Sequence, residues 1–543
     1  MDRLRFERLL ASRASRRRLL AGGTAAGLLA AISLPGGPTR ALGQATPGAA
    51  AEGRTVARPR FGADPFALGV ASGDPLPESV VLWTRLAPDP LNGGGMNGQG
   101  AVEVAYEVAE DEGFGRVVLR GTAIAEPALA HSVHADATGL RPGREYFYRF
   151  VAGGEISRVR RTKTAPAMGA DLEHLRFAFA SCAHWEHGYF TAYRHLARED
   201  LDLLLFLGDY IYEYSAGTAY EPDTGAVRTF PDSETMTLAA YRNRHALYKT
   251  DPDLQAAHAA FPWITTWDDH EVENNYAGGA SELEDPEAVF LERRAAAYQA
   301  YYEHLPLRPE SMPLGPDLRL YRRLAYGNLA TFNMLDTRQY RTDQPCGDGV
   351  QARCAAAQDP DATLTGPDQE RWLLEGLDAS EARWNVIGQQ VMMAELTIPR
   401  EGEEQYNLDQ WDAYPAARNR ILGHVMSHAI PNTVVLTGDI HSTWIADLKA
   451  DFEDPASATV ATEFVTSSIT AYNPFANLLR FLLPTNDHFR YYDGRHGYMR
   501  CEVTPERWQT DIRAMESVTE PDIPIETVAT FVVEDGEPGA KRA

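Results

Sequence analysis

"FPWITTWDDHEVENN" (Phe261–Asn275) changes character in the middle. Phe261 to Trp267 is apolar and rich in bulky and β-branched residues, the composition of a short buried strand. From Asp268 to Asn275 every residue except Val272 carries a carboxylate, an imidazole or a carboxamide. The run has two readings. It is a solvated acidic loop closing a strand, or a strand is delivering oxygen and nitrogen donors to a site beyond its end.

The same design recurs along the chain. "LRFAFASCAHW", "DLLLFLGDYIYE", "LATFNMLDTRQYR", "WNVIGQQVMM" and "NTVVLTGDIHSTW" are each an apolar run that stops in polar residues. Between them lie segments of helical character, such as "YFTAYRHLARED", "LAAYRNRHALYKT" and "DPEAVFLERRAAAYQAYYEHLP". Strand followed by helix, repeated, predicts an α/β domain whose sheet is covered on both faces. It also directs several strand-end loops to one place. This domain is expected over residues 172–515, with 516–543 as a C-terminal tail. The stretch "NPFANLLRFLLP" either shapes a pocket or packs in the core.

Before it, "SVVLWTRL", "AVEVAYEVAE", "RVVLRGTAIAE", "SVHADATGL" and "EYFYRFVAGG" alternate with a period of two and are broken by Gly, Pro and Asp. They predict a β-sandwich over residues 60–165, of immunoglobulin or fibronectin type. "LRPGREYFYRF" (Leu140–Phe150) has the pattern of a tyrosine corner.

Composition bounds the function. Apolar residues at 44% and charged residues at 23% are those of an ordinary globular protein. With 76 Asp+Glu against 51 Lys+Arg, a nucleic-acid-binding surface is not expected, because such a surface must be basic to displace counterions. An acidic protein repels phosphorylated ligands at long range, so an anion site here needs local positive charge. Residues 1–43 read as a signal peptide, in which "SRRRLL" (Ser15–Leu20) resembles a twin-arginine signal ahead of a short Gly/Ala-rich run. The expectation is export by the twin-arginine machinery to a secreted or periplasmic location, with no transmembrane anchor in the mature form. Cys346 and Cys354, eight positions apart in a polar loop, read as a local disulfide.

At the strand ends, Cys182 reads alone as a small buried hydrophobe and Tyr212 as a packed aromatic. Asp209 and Asp439 each follow a glycine, and His441 lies two residues beyond Asp439. Taken in order, Cys, Gly-Asp-x-x-Tyr, Asp-His-Glu and Gly-Asp-x-His resemble the binuclear metallophosphoesterase scheme. The pattern is closer still to the PhoD-type alkaline phosphatase family, which also includes secreted phospholipase D-like enzymes. "GVASGDP", "SCAHWEHGYFTAY", "FLGDYIYEY", "TWDDHEVENNYAG", "FNMLDTRQYRTDQ" and "LTGDIHSTW" carry the resemblance, spread from Gly69 to Trp444.

That resemblance implies a four-layer α/β/β/α catalytic domain behind the β-sandwich, and a ferric ion accompanied by calcium. Fe3+ would be held by Cys182, Asp209, Tyr212 and His441. Ca2+ would be held by Asp209, Asp439 and one or more of Asp269, Asn274 and Asn275. Thiolate, phenolate and imidazole suit iron, and carboxylate and carboxamide suit calcium. His270 would face the leaving group or a phosphate oxygen. Arg338 and Arg341 would grip phosphate oxygens, or else pair with Asp336 or Asp343.

The implied activity is metal-dependent hydrolysis of phosphate esters by a secreted alkaline phosphatase. The alternative is a phosphodiesterase of phospholipase D type on the same metals. A serine mechanism at Ser181 lacks an evident histidine–acid pair. A secreted adhesion or carbohydrate-binding protein built on the sandwich would not need the ligand set.

Overall fold

The computed structural model describes residues 59–218, 225–400, 402–454 and 456–543. The signal-peptide reading falls outside them.

"LLLFL" (Leu203–Leu207) shows how the layers arise. All five residues are buried, yet alternate side chains must leave a strand on opposite faces. Leu203, Leu205 and Leu207 enter one core, and Leu204 and Phe206 enter another. The run is continuous rather than alternating because this strand is covered on both sides.

It lies in a ten-stranded sheet, where Leu175–Ala180, Leu203–Leu207 and Trp263–Thr266 run parallel. A seven-stranded sheet packs against it, and in it Ala330–Met334, Trp384–Gly388, Thr433–Thr437 and Thr459–Val465 are parallel neighbours. The inter-sheet core is Phe177, Phe179, Leu205, Phe332, Trp384 and Val434 with their neighbours. Phe177 and Phe332 meet edge to face across it, with centroids 5.3 Å apart.

Helices α1 (Thr191–Leu196), α2 (Leu238–Lys249), α3 (Pro252–Ala260) and α4 (Glu287–His304) cover the outer face of the first sheet. Helices α5 (Gly366–Asp378) and α6 (Pro415–Ser427) cover the second. Their starts follow local chemistry. Thr237 caps α2 by accepting the Ala240 N–H, and Asp251 caps α3 ahead of Pro252 by accepting the N–H groups of Asp253 and Leu254. The result is the expected four-layer α/β/β/α arrangement.

The N-terminal β-region is a sandwich with an additional join. One sheet is formed by Val102–Ala109, Val117–Ala125, Glu145–Ala152 and shorter strands. The strands facing it, Val70–Leu76, Ser79–Arg85 and Ser132–Thr138, are the edge of the ten-stranded sheet, joined where Gly73 pairs with Trp263. A boundary near residue 165 therefore divides the sequence but not the sheet. The tyrosine corner forms as expected: the Tyr146 hydroxyl accepts the Arg141 N–H at 2.9 Å.

The other end of the chain requires a correction. Residues 516–543 are not a tail. Glu526–Glu534 and Glu537–Arg542 extend the ten-stranded sheet beyond Arg507–Met515, and Phe531, Val533 and Ala540 are buried. The alternating "ETVATFVVE" supplies an apolar face that the inter-sheet core absorbs. Cys346 and Cys354 are disulfide-bonded, and Cys182 and Cys501 are free and buried. Among the described residues, no helix is long and apolar enough to cross a membrane.

Truncating Phe531 to Ala should cost about 3–5 kcal/mol, the range for emptying a packed aromatic site. The reading is the shift in urea midpoint; a loss below about 1 kcal/mol would mean the terminal strands do not belong to the core.

Candidate metal centre

The parallel strands of both sheets end on the same side, and the turns leaving them are unusually tight. Cys182, Asp209, Asp439 and His441 all have left-handed backbones, with φ of 60°, 56°, 64° and 54°. Side chains with a Cβ avoid this region, and residues held there collect at functional sites. The glycines ahead of both aspartates permit the turns. A Cβ on Gly208 would lie 2.5 Å from Asp268 Cβ, and one on Gly438 would lie 2.5 Å from Ser181 Oγ.

These turns bring the donors together. One donor atom each from Cys182, Asp209 and His441 lies within 4.8 Å of the others. The same holds for Asp209, Asp269 and His270, and for Asp268, Asp269 and Asp439. Asp209 thus sits between two groups of donors. The Tyr212 hydroxyl donates to Asp209 Oδ2 at 2.8 Å and lies 3.0 Å from His441 Nε2. His441 Nδ1 faces the Tyr472 carbonyl at 3.3 Å, which assigns the ring proton to Nδ1 and leaves Nε2 bare.

Glu271 anchors two of the loops. It accepts the N–H groups of Asp209 at 3.1 Å, Tyr210 at 2.6 Å and Asp268 at 2.8 Å. Glu213 holds another part: one oxygen faces His270 Nδ1 at 2.8 Å, and the other accepts the Asn274 N–H at 2.9 Å. The Tyr212 ring packs on His270, with centroids 4.2 Å apart.

Burial pushes the Cys182 thiol and the Tyr212 phenol well up, and the neighbouring Asp209 charge adds to both shifts. Burial pushes Asp439 up to about 6 against the pull of Arg338. His270 moves the other way. Burial lowers it, but Glu213, Asp269 and Asp209 more than offset this, so the imidazole stays protonated well above its ordinary range. Carboxylates crowded out of water raise one another's proton affinity, and only added positive charge relieves them.

Arg338 and Arg341 are buried, and part of each guanidinium is engaged by carboxylates. Arg338 Nε donates to Asp268, and its Nη1 reaches both oxygens of Asp409 at 3.0 and 2.8 Å. Arg341 donates to Asp409 Oδ1 at 2.9 Å. Asp336 accepts the backbone N–H groups of Arg338 and Gln339. The arginines therefore brace acidic side chains, while Arg338 Nη2 and Arg341 Nη1 are buried without a hydrogen bond.

The carboxamides have partners within the protein. Asn274 Oδ1 accepts from Tyr214, and Asn275 Nδ2 points to Asp348 Oδ2; what Asn275 gives Asp269 is its backbone N–H, at 2.7 Å. Asp269, Asp439, Cys182, Asp209, Tyr212, His270 and His441 do converge. "NPFANLLRFLLP" packs mostly in the core through Phe475, Leu479 and Leu482, with Phe481 left 64% exposed.

Sequence reading missed Glu213, Glu271, Asp409 and Gln410, which donates to Asp439 Oδ2 at 2.8 Å. Glu213 and Glu271 lie inside the quoted motifs, whereas Asp409 and Gln410 sit in "NLDQW", which carries no local signal.

The model for "PhoD-like phosphatase" matches residues 177–512, and the model for "PhoD-like phosphatase, N-terminal domain" matches residues 49–166. The chain is 52% identical over 489 residues to alkaline phosphatase D of Bacillus subtilis (strain 168), covering 90% of this chain and 84% of the relative. A solved structure described as "Structure of PhoD" superposes with a TM-score of 0.86 at 51% identity, covering 89% of this chain and 93% of that one.

Replacing Glu271 with Ala strands three buried N–H groups, at about 1–3 kcal/mol each. The expected outcome is a lower denaturant midpoint together with reduced bound metal per chain. Full metal content in a stably folded variant would contradict the anchoring role.

Proposed function

Because the chain belongs to the PhoD-like phosphatase family, we propose that it hydrolyses phosphate esters to phosphate and an alcohol at a centre holding Fe3+ and Ca2+. The observation that carries the reading is the convergence of Cys182, Tyr212 and His441 on one side of Asp209, and of carboxylates on the other.

The donor set fits such ions. Asp209 Oδ1, Asp268 Oδ2 and Asp269 Oδ1 are buried and receive no hydrogen bond. Carboxylate oxygens left in that state are unfavourable unless a cation faces them. Cys182, Asp209, Tyr212 and His441 would hold Fe3+, since a trivalent iron favours the thiolate and phenolate that burial alone disfavours. Asp209, Asp269 and Asp439, with only oxygens to offer, would hold Ca2+. The chemistry such ions supply when bound is Lewis acidity toward the phosphoryl oxygens and the attacking water.

The chain's own residues do the rest. Glu213 fixes His270 by its Nδ1, so Nε2–H is the donor left to meet a leaving oxygen. Tyr212 packs against the imidazole ring and limits its rotation. Arg338 keeps Asp268 and Asp269 in place. Buried Cys182, Asp209, Asp269 and Tyr212 exclude bulk water from the floor of the site. Export by the twin-arginine machinery to a secreted or periplasmic location belongs to the same proposal, on the strength of "SRRRLL".

The test is turnover of p-nitrophenyl phosphate and bis-p-nitrophenyl phosphate at alkaline pH, with metal analysis of the same samples. Turnover of the diester in preference would favour the phospholipase D-type alternative. Turnover of neither by metal-replete protein would sink both readings. Purified protein should show a visible tyrosinate–iron band that Tyr212→Phe abolishes; zinc or manganese without that band would overturn the iron assignment. His270→Ala should lower kcat by about 10²–10⁴-fold, the worth of a positioned acid, with metal content unchanged. Full activity in that variant would remove His270 from the reaction.

A further inference from the structure

A second group of metal-binding side chains lies away from the strand-end loops. One donor atom each from Asp378, His424 and His428 lies within 4.8 Å of the others. His424 and His428 are one helical turn apart at the end of α6, on the same face, and their rings stack with centroids 3.8 Å apart. Asp378 ends α5, and its Oδ1 lies 2.8 Å from His424 Nε2. His428 Nδ1 faces the His424 carbonyl and Ser427 Oγ, at 3.3 and 3.2 Å, so its Nε2 is left for an outside partner.

The position favours a cation for an independent reason. Two helix C-termini meet here, and each carries a partial negative charge from its last carbonyls. The nearest guanidinium on α6, that of Arg420, is engaged by both oxygens of Glu370 and by the Pro360 carbonyl. Asp378 and His428 are exposed and His424 is half-buried, so an ion can reach all three. Asp378 also borders an open cleft lined by Glu370, Leu374 and Arg420.

The cluster is at the opposite end of the sheet from the strand-end loops. α5 and α6 finish just before the strands Trp384–Gly388 and Thr433–Thr437 begin, whereas the phosphatase donors follow strand ends. From this geometry we propose a second metal site, held by Asp378, His424 and His428, for a late first-row divalent cation of the Zn2+ class. Two imidazoles and one carboxylate are the donor set of a three-ligand zinc site, which keeps a further position for water or a ligand from the cleft. The ion would tie the end of α5 to the end of α6. The inference does not depend on which ions occupy the phosphatase centre.

The experiment compares the purified full-length protein, its own metals bound, with a His424→Ala/His428→Ala variant and with His428→Gln. Each is titrated with Zn2+ by calorimetry, and phosphate-ester turnover is measured before titration. Turnover should be equal in all three, because these residues lie outside the phosphatase site. The unaltered protein should take up one more Zn2+ per chain than the double variant and should melt at a higher temperature with Zn2+ present. His428→Gln should bind that ion more weakly. Zn2+ uptake and melting shift that are the same in all three proteins would overturn the site. An Asp378→Asn variant that binds as tightly as the unaltered protein would overturn the carboxylate's assignment.

Discussion

Arg338 is the charge around which the centre is built. Its side chain is fully buried and lies within ion-pair distance of Asp268, Asp269, Asp409 and Asp439, drawn from three separate loops. Burial and neighbouring carboxylates push Asp268 and Asp439 up, and Arg338 is the charge that pulls both back down. One guanidinium cannot satisfy them all. It meets Asp409 with two hydrogen bonds and Asp268 with one, which leaves an oxygen on Asp268 and one on Asp269 without a hydrogen bond. The remaining negative charge is what suits the site to cations. Removing one partner from a buried charge network typically costs about 3–5 kcal/mol, so Arg338 supports folding and ligand geometry together.

The backbone carries a comparable constraint. The left-handed turns at Cys182, Asp209, Asp439 and His441 would be unfavourable in isolation. They persist because the surroundings fix them. The Cys182 N–H is held by the Gly208 carbonyl at 3.1 Å, the Asp209 N–H by Glu271 at 3.1 Å, and the Gly438 N–H by the Gln390 carbonyl at 2.9 Å. Each loop is thus tied to another, and the donors are positioned before any ligand arrives.

Much of this was legible in the sequence. The switch from apolar run to polar cluster placed the strand ends, and the ordered motifs gathered Cys182, Asp209, Tyr212, Asp269, His270, Asp439 and His441 into one site. What could not be read is long-range partnership. "LDTRQYR" offers two arginines, and nothing local says that their guanidinium groups turn to Asp268 and Asp409, about seventy residues away on either side. Nor does the local sequence say that Asn274 Oδ1 accepts from Tyr214 or that Asn275 Nδ2 reaches Asp348. The terminal strands were missed for a local reason. After Met515 the chain passes through "ESVTEPDIPI", a polar, proline-containing link that reads as an end, whereas Glu526–Glu534 turns back to pair with Arg507–Met515, the strand just before the link.

The sheet contact itself then becomes part of the chemistry. Cys182, Asp209 and Asp269 leave strands of the ten-stranded sheet, while Asp439 and His441 leave a strand of the seven-stranded one. The centre straddles the seam, so the spacing of its donors depends on how the two sheets sit on each other. Gln390 clasps that seam. Its Nε2 donates to Thr266 Oγ1 at 2.8 Å, at the end of a first-sheet strand, while its own backbone carbonyl holds Gly438. Its Oε1 also takes both the N–H and the hydroxyl of Thr337, beside Arg338. A buried amide with its polar atoms satisfied from both sheets resists sliding, because a shift of either sheet leaves one of those groups unpaired in a dry core. The close-packed aromatic contacts behind it, such as Phe177 on Phe332, oppose the same shift by sterics. The core between the sheets therefore does for the site what no single loop can, which is to keep donors from two independent strands within reach of one another.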